Sequence, residues 1–300
     1  VARLSYSALE SYKRCPYRFY LERVVKMPRA GGELVAEEGS VAEGDDGDQL
    51  ALTAAPVAPD AMSPLVRGTI VHELLERVDF RRPRAPSRAE IERQVVANGV
   101  AAGDDDVRDI GELIERFLAS DLFARLRDAR RVRQELPFAY PLEPEGLGGR
   151  SLLVNGVVDV HADFGDGLLV VDYKTDALEG RDPEEVCDEK YSGQRLVYAL
   201  AGLRAGAREV EVAYCFLERP DLVVSRRFET ADRERLEAEL LDLAAGVLAG
   251  SFEPTDSPHR ELCEFCPGQP ALCSWPPDRT LAERPEGETF AAPEPEHQLS

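Results

Sequence analysis

Asp159, Asp172 and Lys174 stand inside apolar, strand-like runs in the stretch "GVVDVHADFGDGLLVVDYKTD", residues 156–176. Like charges are costly on a half-buried sheet, so their spacing is the first chemical signal in the chain. Gly165-Asp166-Gly167 is a turn signal, and a two-residue loop is the favoured connection. With Gly165-Asp166 as the loop, Asp159 faces Asp172; with Asp166-Gly167 as the loop, it faces Lys174. Either register puts the three on one face, because cross-strand partners and residues two apart share a face. Two carboxylates about 5 Å apart, at an effective dielectric of about 20, repel by roughly 3 kcal/mol. Lys174 offsets this as a structural ion pair, or a divalent cation does. The cation leaves the lysine to meet an attacking water or a transition-state phosphate, which describes metal-dependent phosphodiester hydrolysis. Asp163 and Asp166, beside the turn, take no part.

A second chemical set lies near the C-terminus. "CEFCPGQPALC" places Cys263, Cys266 and Cys273 in a C-x2-C-x6-C pattern, one ligand short of a four-coordinate site. Spacing alone points to zinc, with Cys15, Cys187, Cys215 or His259 completing it. Clustered thiols in a chain with no export signal fit a reducing compartment, and the cytoplasm is the expected location. No run approaches the roughly 20 apolar residues of a membrane span, so no membrane partner is expected.

Helices and strands must position these groups. Ser7 and Glu10 form a capping-box pattern for a short helix that Pro16 breaks or restarts. Residues 30–62 are rich in Gly, Ala and acids without a sustained period, and read as a disordered or lid-like insertion. Ser63-Pro64 starts a helix whose stripe is Val71, Leu74, Leu75 and Val78, with His72 at its edge. Ser87 and Glu90 cap another, and a further helix spans about 107–126. Strands follow at about 131–141, 151–162 and 168–175. Asp182-Pro183 opens a helix to about 205; strands near 209–217 and 222–229 come next, and Thr230 caps a helix to about 249. The order predicts an α/β (α+β) fold with a central mixed sheet of about five strands flanked by helices. No GxxxxGK[ST] is present, which excludes ATP hydrolysis by a P-loop.

The net charge of −21 argues at first against a nucleic-acid partner. Its distribution says otherwise. Residues 30–66 hold eight acids and no Lys or Arg, and residues 277–300 hold six acids against two arginines, so solvated stretches supply −12 of the total. In contrast, "SYKRCPYRFYLERVVKMPR" (11–29) has six cations and one acid, and "RLRDARRVR" (125–133) has five arginines. Local basic faces remain available.

"GVVD", twelve residues, then "DYKT" resembles the active-site hairpin of the PD-(D/E)XK nuclease superfamily, in its RecB-like branch. Val-Asp stands for Pro-Asp, and Asp172 fills the acidic slot. "RGTIVHELLE" (His72), "QELPF" (Glu135) and "QRLVYA" (Gln194, Tyr198) resemble further motifs of that branch, in the required order. The resemblance implies a restriction-endonuclease-like core and a Mg²⁺ or Mn²⁺ site made by His72, Asp159, Asp172 and the backbone carbonyl of Tyr173. It implies that Lys174 orients or activates the nucleophilic water, that Glu135 reaches the metal through water, and that Gln194 and Tyr198 position the motif or DNA. "RCPYRF" with the C-terminal triplet is similar to the AddB-type arrangement, in which Cys15, Cys263, Cys266 and Cys273 would hold a 4Fe-4S cluster. Cys187 and Cys215 are then core thiols. A clasp closing so long a loop would be worth on the order of 5 kcal/mol.

By this resemblance residues 1–29 form a helical element with the first cluster cysteine, 63–258 the nuclease core and 259–276 the clasp, while composition and charge read 277–300 as a disordered acidic tail. The implied activity is exonucleolytic cleavage of single-stranded DNA ends, beside a UvrD-like helicase in cis or trans, in double-strand-break repair. A catalytically silent DNA-binding scaffold is the alternative.

Overall fold

A computed structural model describes residues 2–28, 62–143 and 152–284. The expected insertion at 30–62 lies outside the described residues except for Met62, and the expected tail lies outside them beyond residue 284.

One mixed sheet contains β1 (Ala2–Ser5), β2 (Arg131–Leu142), β3 (Leu152–Asp163), β4 (Gly167–Lys174), β5 (Glu209–Phe216) and β6 (Val223–Glu229). Five of these match the sequence pattern. β1 is the addition: four residues are too few to show a period, and the strand exists because it pairs in parallel with Leu152–Asn155 of β3. β2 covers one edge of β3 along its length. The other edge is divided, with β1 on Leu152–Asn155 and β4 antiparallel on Val160–Asp163. Residues 156–159 belong to neither ladder, and that gap makes the site.

Helices cover both faces. On one, α8 (Ser192–Arg204) lays Val197, Leu200 and Leu203 in a core with Leu168, Val170 and Val212, joined by α1 (Tyr6–Arg14) and α9 (Arg233–Ala249). On the other, α3 (Pro64–Glu76) and α5 (Asp104–Leu118) bring Ile70, Leu74, Ile114 and Phe117 to Val171 and Ala213. Side chains buried this fully contribute about 1.5–3 kcal/mol each, so both faces are held firmly.

Local chemistry explains the helix boundaries. Ser63 Oγ accepts from Val66 N at 3.3 Å to start α3. Glu90 accepts from Ser87 N at 2.7 Å, closing the expected box on α4 (Arg88–Ala97). At the N-terminus the cap is Ser5, not Ser7: Ser5 Oγ accepts from Ala8 N at 3.1 Å. The helix expected over 107–126 is α5 and α6 (Asp121–Arg127), divided because Ser120 Oγ accepts from Phe123 N at 3.1 Å. The helix expected to 205 is α7 (Pro183–Lys190) and α8, divided at Tyr191, whose carbonyl accepts from the Tyr214 hydroxyl at 3.0 Å. Residues 277–284 pack rather than trail. α11 (Pro277–Thr280) buries Thr280, and Ala282 O accepts from Arg260 N at 2.8 Å. No helix among the described residues is long and apolar enough to cross a membrane.

Candidate active site

The hairpin register is the first of the two considered. Val160 pairs with Val171 and Asp163 with Leu168, and Phe164 N donates to Gly167 O at 3.0 Å, leaving Gly165-Asp166 as the loop. Gly165 has φ +98°, a backbone conformation that favours glycine in this turn. Beyond Val160 and Val171 the strands fork. β4 continues along β5, pairing Asp172 with Tyr214 and Lys174 with Phe216, while β3 stays with β2.

At the fork the two faces of β3 exchange. Val158 belongs to the core under α8, whereas Val160 belongs to the core under α3. Residues two apart on a regular strand share a face, so the strand turns about Asp159. β2 turns with it: Leu136 lies in the first core and Val132 packs on the second. Between them Glu135 has φ +46° and drops out of the ladder. A left-handed residue other than glycine costs roughly 1–2 kcal/mol, here at the one point of β2 facing the fork.

His72, Glu135 and Asp159 meet there. Each offers a ligand atom, all within 4.8 Å of one another, and among the described residues this is the one such group of three or more His, Cys, Asp or Glu. His72 Nδ1 lies 3.5 Å from Asp159 Oδ2. Asp159 Oδ2 also accepts from Tyr173 N at 2.7 Å, which ties it across the fork. Gly68 brings α3 close enough: a Cβ there would lie 2.9 Å from Thr175 Oγ1, just past the Lys174 end of β4. Burial and the carboxylates of Asp159, Glu76 and Asp172 push Glu135 up to about 8. Two carboxylates and an imidazole suit a hard divalent cation such as Mg²⁺ or Mn²⁺, and the crowded negative charge fits one.

Asp172 is held on the other prong. Its Oδ1 accepts from Gln194 Nε2 at 2.9 Å and lies 3.1 Å from the Tyr198 hydroxyl, which is also 2.9 Å from Val157 O in the gap. Gln194 Nε2 lies 3.1 Å from that hydroxyl as well. The Q-x-x-x-Y pair of α8 thus fills the fork and fixes Asp172. Lys174 Nζ is 2.7 Å from Asp172 Oδ2. The sequence expectation put Asp172 with His72 and Asp159; the structure puts Glu135 in that group and gives Asp172 to Lys174, Gln194 and Tyr198.

Tyr191 and Tyr214 join the site from outside the sequence expectation. Lys174 Nζ sits 4.0 Å from the Tyr191 ring centroid and 5.6 Å from that of Tyr214, and the Tyr191 hydroxyl donates to Asp176. Cation–π contact adds to the hold on a desolvated ammonium. One signal could have found Tyr191: it stands about one helical turn before Gln194 and two before Tyr198.

Cys15, Cys263, Cys266 and Cys273 line one cavity with Tyr17, Arg18, Leu262 and Trp275. Cys15 also caps α2 (Pro16–Phe19), its Sγ accepting from Arg18 N at 3.5 Å. Cys187 and Cys215 lie in the two sheet cores, fully buried, and burial pushes both thiols to about 12. His259 is buried close to Cys263 in sequence but does not line the cavity.

Residues 3–273 match the family model of the PD-(D/E)XK nuclease superfamily. Among curated proteins the chain is similar to the A subunit of the ATP-dependent helicase/nuclease of Bacillus cereus strain AH820. They are 31% identical over 149 residues, covering 45% of this chain and 12% of that protein. The equivalent protein of Bacillus cereus strain AH187 is 32% identical over 152 residues, again 45% and 12%. The chain therefore spans a small part, 12%, of the length of these relatives. A crystal structure of a "Putative exonuclease" from Eubacterium rectale is 12% identical, with a TM-score of 0.45 over 89% of this chain and 88% of that one.

Proposed function

This chain belongs to the PD-(D/E)XK nuclease superfamily, and from that premise we propose that it is a Mg²⁺- or Mn²⁺-dependent deoxyribonuclease acting on single-stranded DNA ends beside a helicase. The carrying observation is the fork, where His72, Glu135 and Asp159 meet and Asp172 and Lys174 stand on the facing prong. His72, Glu135 and Asp159 would hold the cation, with Asp172 and the Tyr173 carbonyl completing the site. The bound cation would polarise the scissile phosphate and lower the pKa of its water. Lys174, set between Asp172 and Tyr191, orients the attacking water and meets charge that develops on the phosphate. Gln194 and Tyr198 hold Asp172 against rotation. Similarity to the helicase/nuclease proteins supports a helicase partner, and the setting proposed for the pair is double-strand-break processing. The clustered thiols of the clasp support a reducing, cytoplasmic setting.

The clasp is read as a 4Fe-4S site. Four cysteines, Cys15, Cys263, Cys266 and Cys273, line one cavity, and such a set can carry an iron–sulfur cluster or, as the alternative, a single zinc. Anaerobic purification tests this: brown colour with broad absorbance supports iron–sulfur, and a colourless zinc protein rejects it.

The deciding experiment is cleavage of end-labelled single- and double-stranded DNA by the purified chain with Mg²⁺, Mn²⁺ or EDTA. Divalent-dependent shortening from an end, lost in Asp159→Ala, supports the reading. DNA binding with no hydrolysis under any metal replaces it with the silent scaffold.

A further inference from the structure

The "RLRDARRVR" stretch is not used by the site, and its surroundings in the fold give it a role. Arg81 donates to Ala129 O at 3.0 Å and Arg130 O at 3.2 Å, which lays the loop after α3 against the start of β2. Arg81 and Arg82 thereby lie beside the start of β2, and these two, with Arg77, Arg127, Arg130 and Arg131, are exposed. Arg81 and Arg127 line one hollow of about 390 Å³ with Phe80, Ala124 and Asp128. Arg133 extends the row to within two residues of Glu135.

Among the described residues none of these arginines has a carboxylate oxygen within 4 Å, whereas the arginines of α5 and α9, such as Arg108, Arg116 and Arg235, are ion-paired. The acids nearby are committed elsewhere. Asp79 Oδ1 accepts from Arg81 N and Arg82 N at 2.8 and 3.3 Å, and Asp163 Oδ1 from Gly165 N at 2.7 Å. Asp128 remains at the hollow. A protein of net charge −21 repels a polyanion nearly everywhere, so arginines that no carboxylate among the described residues neutralises mark where one can approach.

We propose that the surface carrying these arginines is the track on which the sugar–phosphate backbone of a DNA strand lies as it enters the fork. The proposal rests on the nuclease reading for its ligand, and on the arginines for its place. Arg131 and Arg133, on one face of β2, stand about 7 Å apart and point the strand along β2 toward Glu135.

The test compares two triple variants of the full chain, Arg82→Gln/Arg127→Gln/Arg131→Gln and Arg108→Gln/Arg116→Gln/Arg235→Gln. Both remove three positive charges, and all six residues are exposed. Binding of a fluorescein-labelled single-stranded oligonucleotide is followed by anisotropy against salt, with Ca²⁺ replacing Mg²⁺. The first variant should bind roughly 10- to 100-fold more weakly and flatten the log Kd against log salt slope by about 2. Its fall in kcat/KM should appear in KM, while the second variant stays within twofold of the original chain. Equal weakening in both, or in neither, overturns the track. If the unaltered chain binds through this surface but cleaves nothing, the nuclease reading fails and the track stands. If it cleaves and the first variant keeps its KM, the track fails and the nuclease reading stands.

Discussion

The fork and the clasp both gather groups from distant parts of the chain, but they are held by opposite means. At the fork, charged and polar side chains bond one another and the backbone inside two large apolar cores. At the clasp, four thiols close on a small cluster of Cys15, Leu262, Cys263 and Tyr17. Surrounding packing can assemble the fork by itself, because the buried Asp159, Asp172 and Lys174 each have a partner and the cores supply the free energy. The clasp has only that small apolar cluster around its thiols, so on the proposed iron–sulfur reading the free energy of binding the cluster would add directly to its closure.

Substitutions at the fork should therefore cost activity first and stability second. On the proposed mechanism, Lys174→Ala should lower turnover on single-stranded DNA by roughly 10³-fold, since it removes the charge that would meet the transition state. Loss of a buried ion-pair partner also costs about 3–5 kcal/mol, and thermal melting would show it. Turnover within tenfold of the original would remove Lys174 from the chemistry.

At the clasp the order should reverse. On the proposed iron–sulfur reading, Cys263→Ser or treatment with a chelator should cost on the order of 5 kcal/mol through the freed loop. Cleavage per folded molecule at low temperature should change little. An unchanged melting temperature would mean that packing alone closes the clasp.

A smaller effect separates the parts of the Lys174 environment. Tyr191→Leu should reduce turnover about 30-fold, the scale of a desolvated cation–π contact near 2 kcal/mol, and Tyr191→Phe, which keeps the ring, should recover most of it. Equal loss in both variants would assign the effect to the Asp176 hydrogen bond.

The smallest effect lies away from both regions. Glu211 accepts from Arg125 at 2.8 and 2.9 Å and from Arg227 at 2.9 Å, and these guanidinium groups hold its carboxyl below the usual range. A depressed carboxylate stabilises the fold above its unfolded pKa of about 4.5 and loses that contribution as pH falls through its folded value. Glu211→Gln should cost about 1–2 kcal/mol at pH 7. The gap in urea midpoint from the original chain should close in acid; a constant gap would show that packing, not charge, carries it.

Asp159, Asp172 and Lys174 were legible as one charged set from alternation along the strands and a turn with a countable register, and five of the six strands from the same periodicity. His72, Gln194 and Tyr198 were expected from the family resemblance, and the structure places them at the fork. Spacing gathered Cys263, Cys266 and Cys273 and left Cys15 as one of four candidates beside them; the resemblance selected Cys15, and all four line one cavity. Glu135 was legible only as a weak member, and its place beside His72 and Asp159 depends on the left-handed break in β2. Nothing in "QELPF" fixes that break.

Tertiary structure decided the rest. β1 and β4 divide one edge of β3, the strands part beyond Val160 and Val171, and β3 turns its faces about Asp159. Those events set Asp159 with His72 and Glu135, give Asp172 to α8, and place Tyr191 against Lys174. The sequence by itself determined which groups were available and which elements carry them, because periodicity and capping act within a few residues. Which of those groups touch was decided by pairing between strands that lie far apart along the chain, where the cost of strain at one residue is met by the packing of two cores.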